Sequence, residues 1–196
     1  ARLLTHGRIR HGMQFRDAAR RHWPTMYYGT DSAMGLTMRR HRRGRTRSIG
    51  AVGLGIGTLA VHGLPKDTIH FYELNPDVVD VAKRHFSFLS DSAAKTRVEL
   101  GDGRKLLERS TLRFDVLVLD AFSSDAVPVH LLTREAFATY RARLADDGIL
   151  LANVSNRHLR VDAVVTASAR DNGLYVRMLD TPRDVDRGTA YVRWAV

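Results

Sequence analysis

A chain of 196 residues with 44% hydrophobic composition can bury the core of one domain, and no apolar run nears the ~20 residues that a membrane-spanning helix needs. No signal peptide is expected. The absence of cysteine excludes disulfides and thiolate metal sites and agrees with a reducing compartment, while the nine histidines form no HExxH-like pair, so no metal site is expected.

The net charge of +10 is almost wholly arginine, with lysine only at Lys66, Lys83, Lys95 and Lys105. From Ala1 the chain enters an alternating segment, LLTHGRIRHGMQF, that predicts a hairpin turning near Gly7 or Gly12. PTMYYGTDSAMGL follows an arginine-rich, proline-broken connection, so residues 1–46 read as a partial N-terminal β lobe, a helix that packs on the main domain, and a linker. Gln14, Tyr27 and Tyr28 are candidates for reaching a site, although such tyrosines more often serve packing. Arg39, Arg40, Arg42, Arg43, Arg45 and Arg47 cluster just before the first core strand. Such a cluster suits nucleic acid or anionic lipid headgroups. No aromatic residues interleave with it as a base-stacking platform requires, so a solvated linker is expected and nucleic acid is not an expected partner.

Residues 47–196 read as the main domain. Ile49–Leu54 is an apolar run that leads into Gly53, Gly55 and Gly57; a short helix follows, then a second run, Ile69–Tyr72, that closes on Glu73. Strand, glycine turn, helix and strand ending in an acid form the first half of a nucleotide-binding sheet, in which the acid accepts hydrogen bonds from ribose hydroxyls. The spacing G-x-G-x-G is neither the dinucleotide fingerprint nor a P-loop, and it is more usual where the ligand is S-adenosylmethionine or a derivative. A helix starts at Asn75-Pro76 and runs to about His85; RVEL at 97–100 is a third strand, ending at Gly101-Asp102-Gly103. After a helix from Arg104 to about Glu108, FDVLVLDAF is a strand buried on both faces that delivers Asp120, with Ser123, Ser124, Asp125 and Pro128 in the loop beyond. A helix from Thr133 to about Leu144 stops at Asp146-Asp147-Gly148. GILLANVS is the fifth strand, VDAVVTASARDNG a helix, LYVRML the sixth strand and TAYVRWAV the seventh. The chain stops at Val196 inside that last strand, as it begins inside another, and a piece of a longer protein is expected.

This alternation predicts an α/β fold, a doubly wound, mostly parallel seven-stranded methyltransferase-like Rossmann sheet with a small N-terminal β lobe. Four acids, Glu73, Asp102, Asp120 and Asp125, then gather near the carboxyl ends of successive strands. In a protein of charge +10 they make a local acidic pocket suited to a cationic ligand.

The succession VGLGIGT, YELNP, GDGR, VLDAFSSDAVP and LLTREAF resembles the polyamine aminopropyltransferases, the spermidine synthase family. It is most similar to the spermidine synthase-like domains that some bacteria carry behind membrane-spanning segments. HGRIRHGMQF and YYGTDS match the remnant of the family's N-terminal lobe, so the resemblance covers nearly the whole chain. It implies aminopropyl transfer from decarboxylated S-adenosylmethionine to a diamine or polyamine, with no prosthetic group. Gly53, Gly55, Gly57 and Gly103 would line the nucleoside, Glu73 would hold the ribose and Asp102 would face the adenine amino group. Asp120 would bind the attacking amine and take its proton, Asp125 would help hold the cationic substrate, and Gln14 and Tyr28 match the lobe's contact positions.

At one place the sequence departs from the family. The glycine turn usually carries an acid for the donor's free amine, and here that position is Ile56; Asp125 also lies two residues farther from Asp120 than in the family pattern. A methyltransferase using intact S-adenosylmethionine and a non-catalytic nucleoside-binding module therefore stay open as alternatives. The resemblance further admits a homodimer, an attached membrane domain outside this chain, and a place in the cytoplasm or on the cytoplasmic face of the membrane.

Overall fold

The computed structural model describes residues 1–6, 9–42, 44–121, 128–156 and 159–196. Strands β1 (Arg2–His6) and β2 (Ile9–Gln14) form the expected antiparallel hairpin. Helix α1 (Ala33–Arg40) starts where Ser32 Oγ accepts the Gly35 N–H at 3.1 Å, and it buries Ala33, Met34 and Met38.

The main sheet holds β3 (Ser48–Val52), β4 (Thr68–Glu73), β5 (Lys95–Leu100), β6 (Phe114–Leu119), β7 (Leu144–Asn153), β8 (Met178–Thr181) and β9 (Val192–Ala195). Their order is β5-β4-β3-β6-β7-β9-β8, and β9 alone runs against its neighbours. Helices α2 (Pro76–His85), α3 (Gly103–Arg109), α4 (Arg134–Arg143) and α5 (Val161–Asp171) connect the strands. Asn75 caps α2 by accepting from the Asp77 N–H at 2.9 Å, Pro76 supplies a preset φ, and Lys83, Arg84 and His85 face the negative end of the helix dipole.

All six positions of β6 are buried, as its unbroken apolar run requires. Alternate residues feed opposite faces. Val116 and Val118 join Ile49, Phe71, Met34, Met38 and Trp194, while Leu117 and Leu119 join Val52, Tyr72, Phe137 and Tyr140. Because β3 pairs with both β4 and β6, the connections turn in opposite directions from that point, which leaves a crevice beyond the carboxyl ends of these strands.

Several local readings change. After the glycine turn the chain makes a 3-10 turn, Thr58–His62, in place of a helix. Strand β7 begins at Leu144, immediately after α4, and the Asp146-Asp147-Gly148 stop becomes a bulge: Phe114 pairs with Leu144 but Val116 with Ile149. The start of the last strand is diverted, because Ala190 N–H donates to the Met26 carbonyl and Thr189 N–H to that of Asp184, leaving only Val192–Ala195 in the sheet.

The arginine cluster is not simply a solvated linker. Arg47 is fully buried with Asp67, its Nε 3.2 Å from Oδ1 and its Nη2 2.5 Å from Oδ2, while its Nη1 donates to the Met38 carbonyl at 2.6 Å. Arg42 pairs with Asp115 and Asp147. Among the described residues no helix is long and apolar enough to cross a membrane.

Candidate active site

Backbone hydrogen bonding carries the strand ladder onto the rim. Gly53 N–H donates to Tyr72 O, Asp120 N–H to Val52 O and Gly101 N–H to Glu73 O, each at 2.9 Å. Gly53, Glu73, Gly101 and Asp120 therefore stand side by side, as the parallel register of β3, β4, β5 and β6 dictates. Gly53 has φ +101°, and a Cβ there would lie 2.7 Å from the Asp120 carbonyl oxygen, so only glycine lets the turn pass this close to the acid's backbone. Gly55 and Gly57 also have positive φ, and Gly103 begins α3 against Val52.

Glu73 reaches back over the turn. Its Oε2 accepts the Leu54 N–H at 3.0 Å and its Oε1 the Asn75 N–H at 2.9 Å. The carboxylate thus braces the glycine turn, with lone pairs remaining for a ligand hydroxyl. Asp102 caps α3 by accepting from the Lys105 N–H at 3.0 Å and meets His130 Nε2 at 2.9 Å. Burial raises its pKa, but the Lys105 N–H and His130 outweigh that and hold the carboxyl below its ordinary value.

Asp120 is the chemically distinctive group. The Tyr28 hydroxyl donates to its Oδ2, and Asn153 Nδ2 donates to its Oδ1 at 2.8 Å. Burial pushes its pKa up from 3.8 to about 6, against the pull of these two hydrogen bonds. Tyr28 is itself buried, and burial together with the Asp120 charge holds its phenol protonated well past the usual range. At pH 7 the pair is a neutral phenol beside a carboxylate that is mostly ionised. Such a group can hold a cation and accept a proton.

Other positions fall elsewhere. Gln14 is buried at the end of β2, where its Nε2 donates to Ser87 Oγ at 2.8 Å and Arg21 O at 3.1 Å while its Oε1 accepts the Ser87 N–H at 3.1 Å. Its amide fastens the hairpin to the segment after α2. Ile56 is 1% exposed and packs with Phe86 and Phe88 beneath the hairpin; a Cβ on Gly12 would lie 2.6 Å from Ile56 Cγ1. Asp125 lies outside the described residues.

Two participants escaped the sequence reading. Asn153 lay without comment inside the fifth strand, GILLANVS, and the neighbouring places of the fourth and fifth parallel strands are the signal that could have found it. His62 fell in the short helix expected after the glycine turn, yet its Nε2 lies 2.7 Å from the Tyr28 carbonyl oxygen, which steadies the segment carrying the phenol.

Strand order, glycine turn and acid-lined rim together define a protein of the methyltransferase-like α/β class. The model of the spermine/spermidine synthase domain matches residues 41–176, and the chain belongs to that family. It is similar to a polyamine aminopropyltransferase of Vibrio vulnificus, 35% identical over 108 residues that cover 52% of this chain and 36% of the relative. An N-terminal histidine N-methyltransferase of Emericella nidulans is 32% identical over 111 residues, 52% of this chain and 19% of the relative. The chain thus spans only about a third of the first relative's length and less of the second's. Among solved structures, human methyltransferase-like protein 13 in complex with SAH superposes with TM-score 0.65 at 20% identity, covering 82% of this chain and 77% of the other. Spermidine synthase from Thermotoga maritima gives 0.59 at 15% identity, covering 82% and 55%. These two likenesses speak to the fold.

Proposed function

We propose that the protein transfers an aminopropyl group from decarboxylated S-adenosylmethionine to a diamine or polyamine, with Asp120 as the base. The observation that carries this reading is the buried carboxylate of Asp120, pKa about 6, held between Tyr28 and Asn153 beside the glycine turn. The acceptor amine is an ammonium in water and has no lone pair until it loses a proton. Asp120 takes that proton; the freed lone pair attacks the carbon bonded to the sulfonium sulfur, the C–N bond forms and the C–S bond breaks. Its electron pair stays on sulfur, which leaves as the neutral thioether methylthioadenosine. Two cations must be brought together in this reaction, so catalysis consists mostly of positioning them against carboxylates.

In this proposal Gly53, Gly55, Gly57 and Gly103 line the nucleoside, Glu73 receives the ribose hydroxyls and Asp102 faces the adenine. Tyr28 borders the amine, Asp125 adds a second anchor for it, and Gln14 serves by holding the hairpin above the site. The division into a lobe, 1–46, and a nucleoside-binding domain, 47–196, belongs to the same reading, as do assembly with a second copy and attachment to a membrane domain. The name of the Vibrio vulnificus relative supports the aminopropyl donor.

A second reading, methyl transfer from intact S-adenosylmethionine, is favoured by Ile56. Buried among Phe86, Phe88 and the hairpin, it offers no carboxylate to the donor's free amine, and it removes a charge that would repel the carboxylate of the intact donor. Calorimetric titration with methylthioadenosine, both donors and NAD tests the ligand class, and binding of NAD without binding of any adenosyl compound overturns it. Turnover with each donor then separates the two readings. In the active protein Asp120→Asn should lower turnover about 10²- to 10⁴-fold with nucleoside affinity nearly unchanged.

A further inference from the structure

Asn153 ends β7, one strand over from Asp120, and is 1% exposed. A buried primary amide has to satisfy both its carbonyl and its NH₂. Its Oδ1 accepts the Ser155 N–H at 3.1 Å, which fixes the direction of the amide and turns Nδ2 toward Asp120 Oδ1, 2.8 Å away. The antiparallel register sets Asn153 opposite Trp194 of β9. Trp194 is fully buried, its Nε1–H lies 3.3 Å from the Tyr27 carbonyl oxygen, and its ring meets that of Tyr28 edge-on with centroids 6.3 Å apart. One indole therefore backs both donors to Asp120, the β7 amide through the strand pair and the phenol by ring contact.

We infer that Asn153 is a positioning residue for the proton-accepting carboxylate, fixing its plane and keeping it ionised at neutral pH in the transfer reaction proposed above, on which this inference rests. The groups around Asp120 make the amide's contribution specific. The phenol of Tyr28 comes from the segment before α1, Asn153 from β7, and the backbone of Gly53 in the glycine turn passes close to that of Asp120. Behind Tyr28 stand Tyr27 and His62, and burial disfavours the charged form of His62. Two uncharged donors, the Tyr28 phenol and the Asn153 amide, thus oppose the burial that favours the protonated acid. A charge-assisted hydrogen bond of ordinary strength corresponds to about one to two pKa units.

The experiment follows the Asp120 carboxyl carbon by NMR against pH in the ligand-free protein, assigned with Asp120→Asn, in the wild type, Asn153→Leu and Asn153→Asp. Alongside, the acid limb of kcat/KM is measured with the active donor. Asn153→Leu should raise the Asp120 pKa by about one to two units and shift the acid limb upward by the same amount, so that the loss at pH 6 exceeds the loss at pH 8. Asn153→Asp keeps the volume and places a second carboxyl beside the first, so the shift should be larger. A lost acid limb with an unmoved carboxyl titration, or an equal loss at every pH, overturns the inference in favour of a purely structural Asn153. If the wild type turns over no donor but the carboxyl titration still shifts as expected, the positioning role stands and the proposed reaction falls. If Asn153→Leu does not fold, Asn153→Asp decides alone, and an unshifted titration there overturns the inference.

Discussion

In the proposed transfer Asp120 sets activity against stability. Its carboxyl is raised by burial from 3.8 to about 6, so the folded protein binds this proton more tightly than the unfolded chain does. The resulting stabilisation is fully present below about pH 4 and is lost as pH rises through 6, while the base that the proposed transfer needs builds up over the same rise. Asparagine cannot ionise, and its oxygen can still accept from Asn153 while its NH₂ donates to the Tyr28 oxygen. Asp120→Asn should therefore gain in melting temperature relative to the wild type between pH 4 and pH 7, even as turnover collapses. A difference in melting temperature that stays constant across this range, read by calorimetry at matched ionic strength, would mean that burial does not burden the charged form. Asp120 itself was legible in the chain, because an acid that ends an unbroken apolar strand has to reach a carboxyl edge. Tyr28 was named as a residue that could reach a site, but its pairing with Asp120 was not legible, nor was Asn153 at all, since the two arrive from 92 and 33 residues away and no local pattern encodes a contact across the sheet.

The glycine turn was legible in its spacing but not in its roof. The sequence shows Ile56 where the related family carries an acid, and it invites the expectation of a missing ligand contact. In the folded chain that position serves packing instead, since Ile56 enters a small apolar cluster with Phe86 and Phe88, and Leu4 of β1 packs on it. Gly12 supplies the clearance on the β2 side, since any side chain there would run into three Ile56 carbons at 2.6–2.7 Å. Hairpin and turn are therefore one packed unit. Ile56→Ala should cost about 2–5 kcal/mol as the buried side chain is lost and the space left behind collapses only in part. Gly12→Ala should cost about 1–3 kcal/mol through overpacking, unless the hairpin lifts, in which case nucleoside affinity falls with little change in stability. Chemical denaturation beside methylthioadenosine titration separates those outcomes. Restoring an acid with Ile56→Asp should not recover a donor contact, because the new carboxylate would be buried among phenylalanines without a partner. The β7 bulge was hidden for a related reason: Asp-Asp-Gly signals a helix stop, and only the pairing of Phe114 with Leu144 shows that the strand had already begun.

The sheet divides the molecule into two edges with different physics. At the carboxyl edge polar groups are held in reach of a ligand, and Asp120 keeps a charge that burial opposes. At the amino edge polar groups are paired with one another. Arg47, just before β3, and Asp67, just before β4, form a fully buried ion pair in which Asp67 also accepts the backbone N–H groups of Arg47 at 3.2 Å and Leu64 at 2.8 Å. Arg47 in turn fastens the end of α1 through the Met38 carbonyl, and Arg42 bridges Asp115 on β6 to Asp147 in the β7 bulge. The composition announced an arginine-rich protein, but the acidic partners of Arg42 and Arg47 lie 20 or more residues on, so their burial could not be read from the cluster. Removing one member of the pair leaves a charge without water or counterion, and Asp67→Ala should destabilise the protein by about 3–5 kcal/mol. Replacing both, Arg47→Met with Asp67→Leu, removes the stranded charge and should cost far less than the two single changes added together. Urea midpoints at constant m-value would measure this. Because this pair stands at the edge opposite the site, turnover per folded molecule should stay near wild type in all of these variants. A drop in that specific activity matching the Asp120→Asn loss would show that the amino edge positions the site as well as holding the fold together.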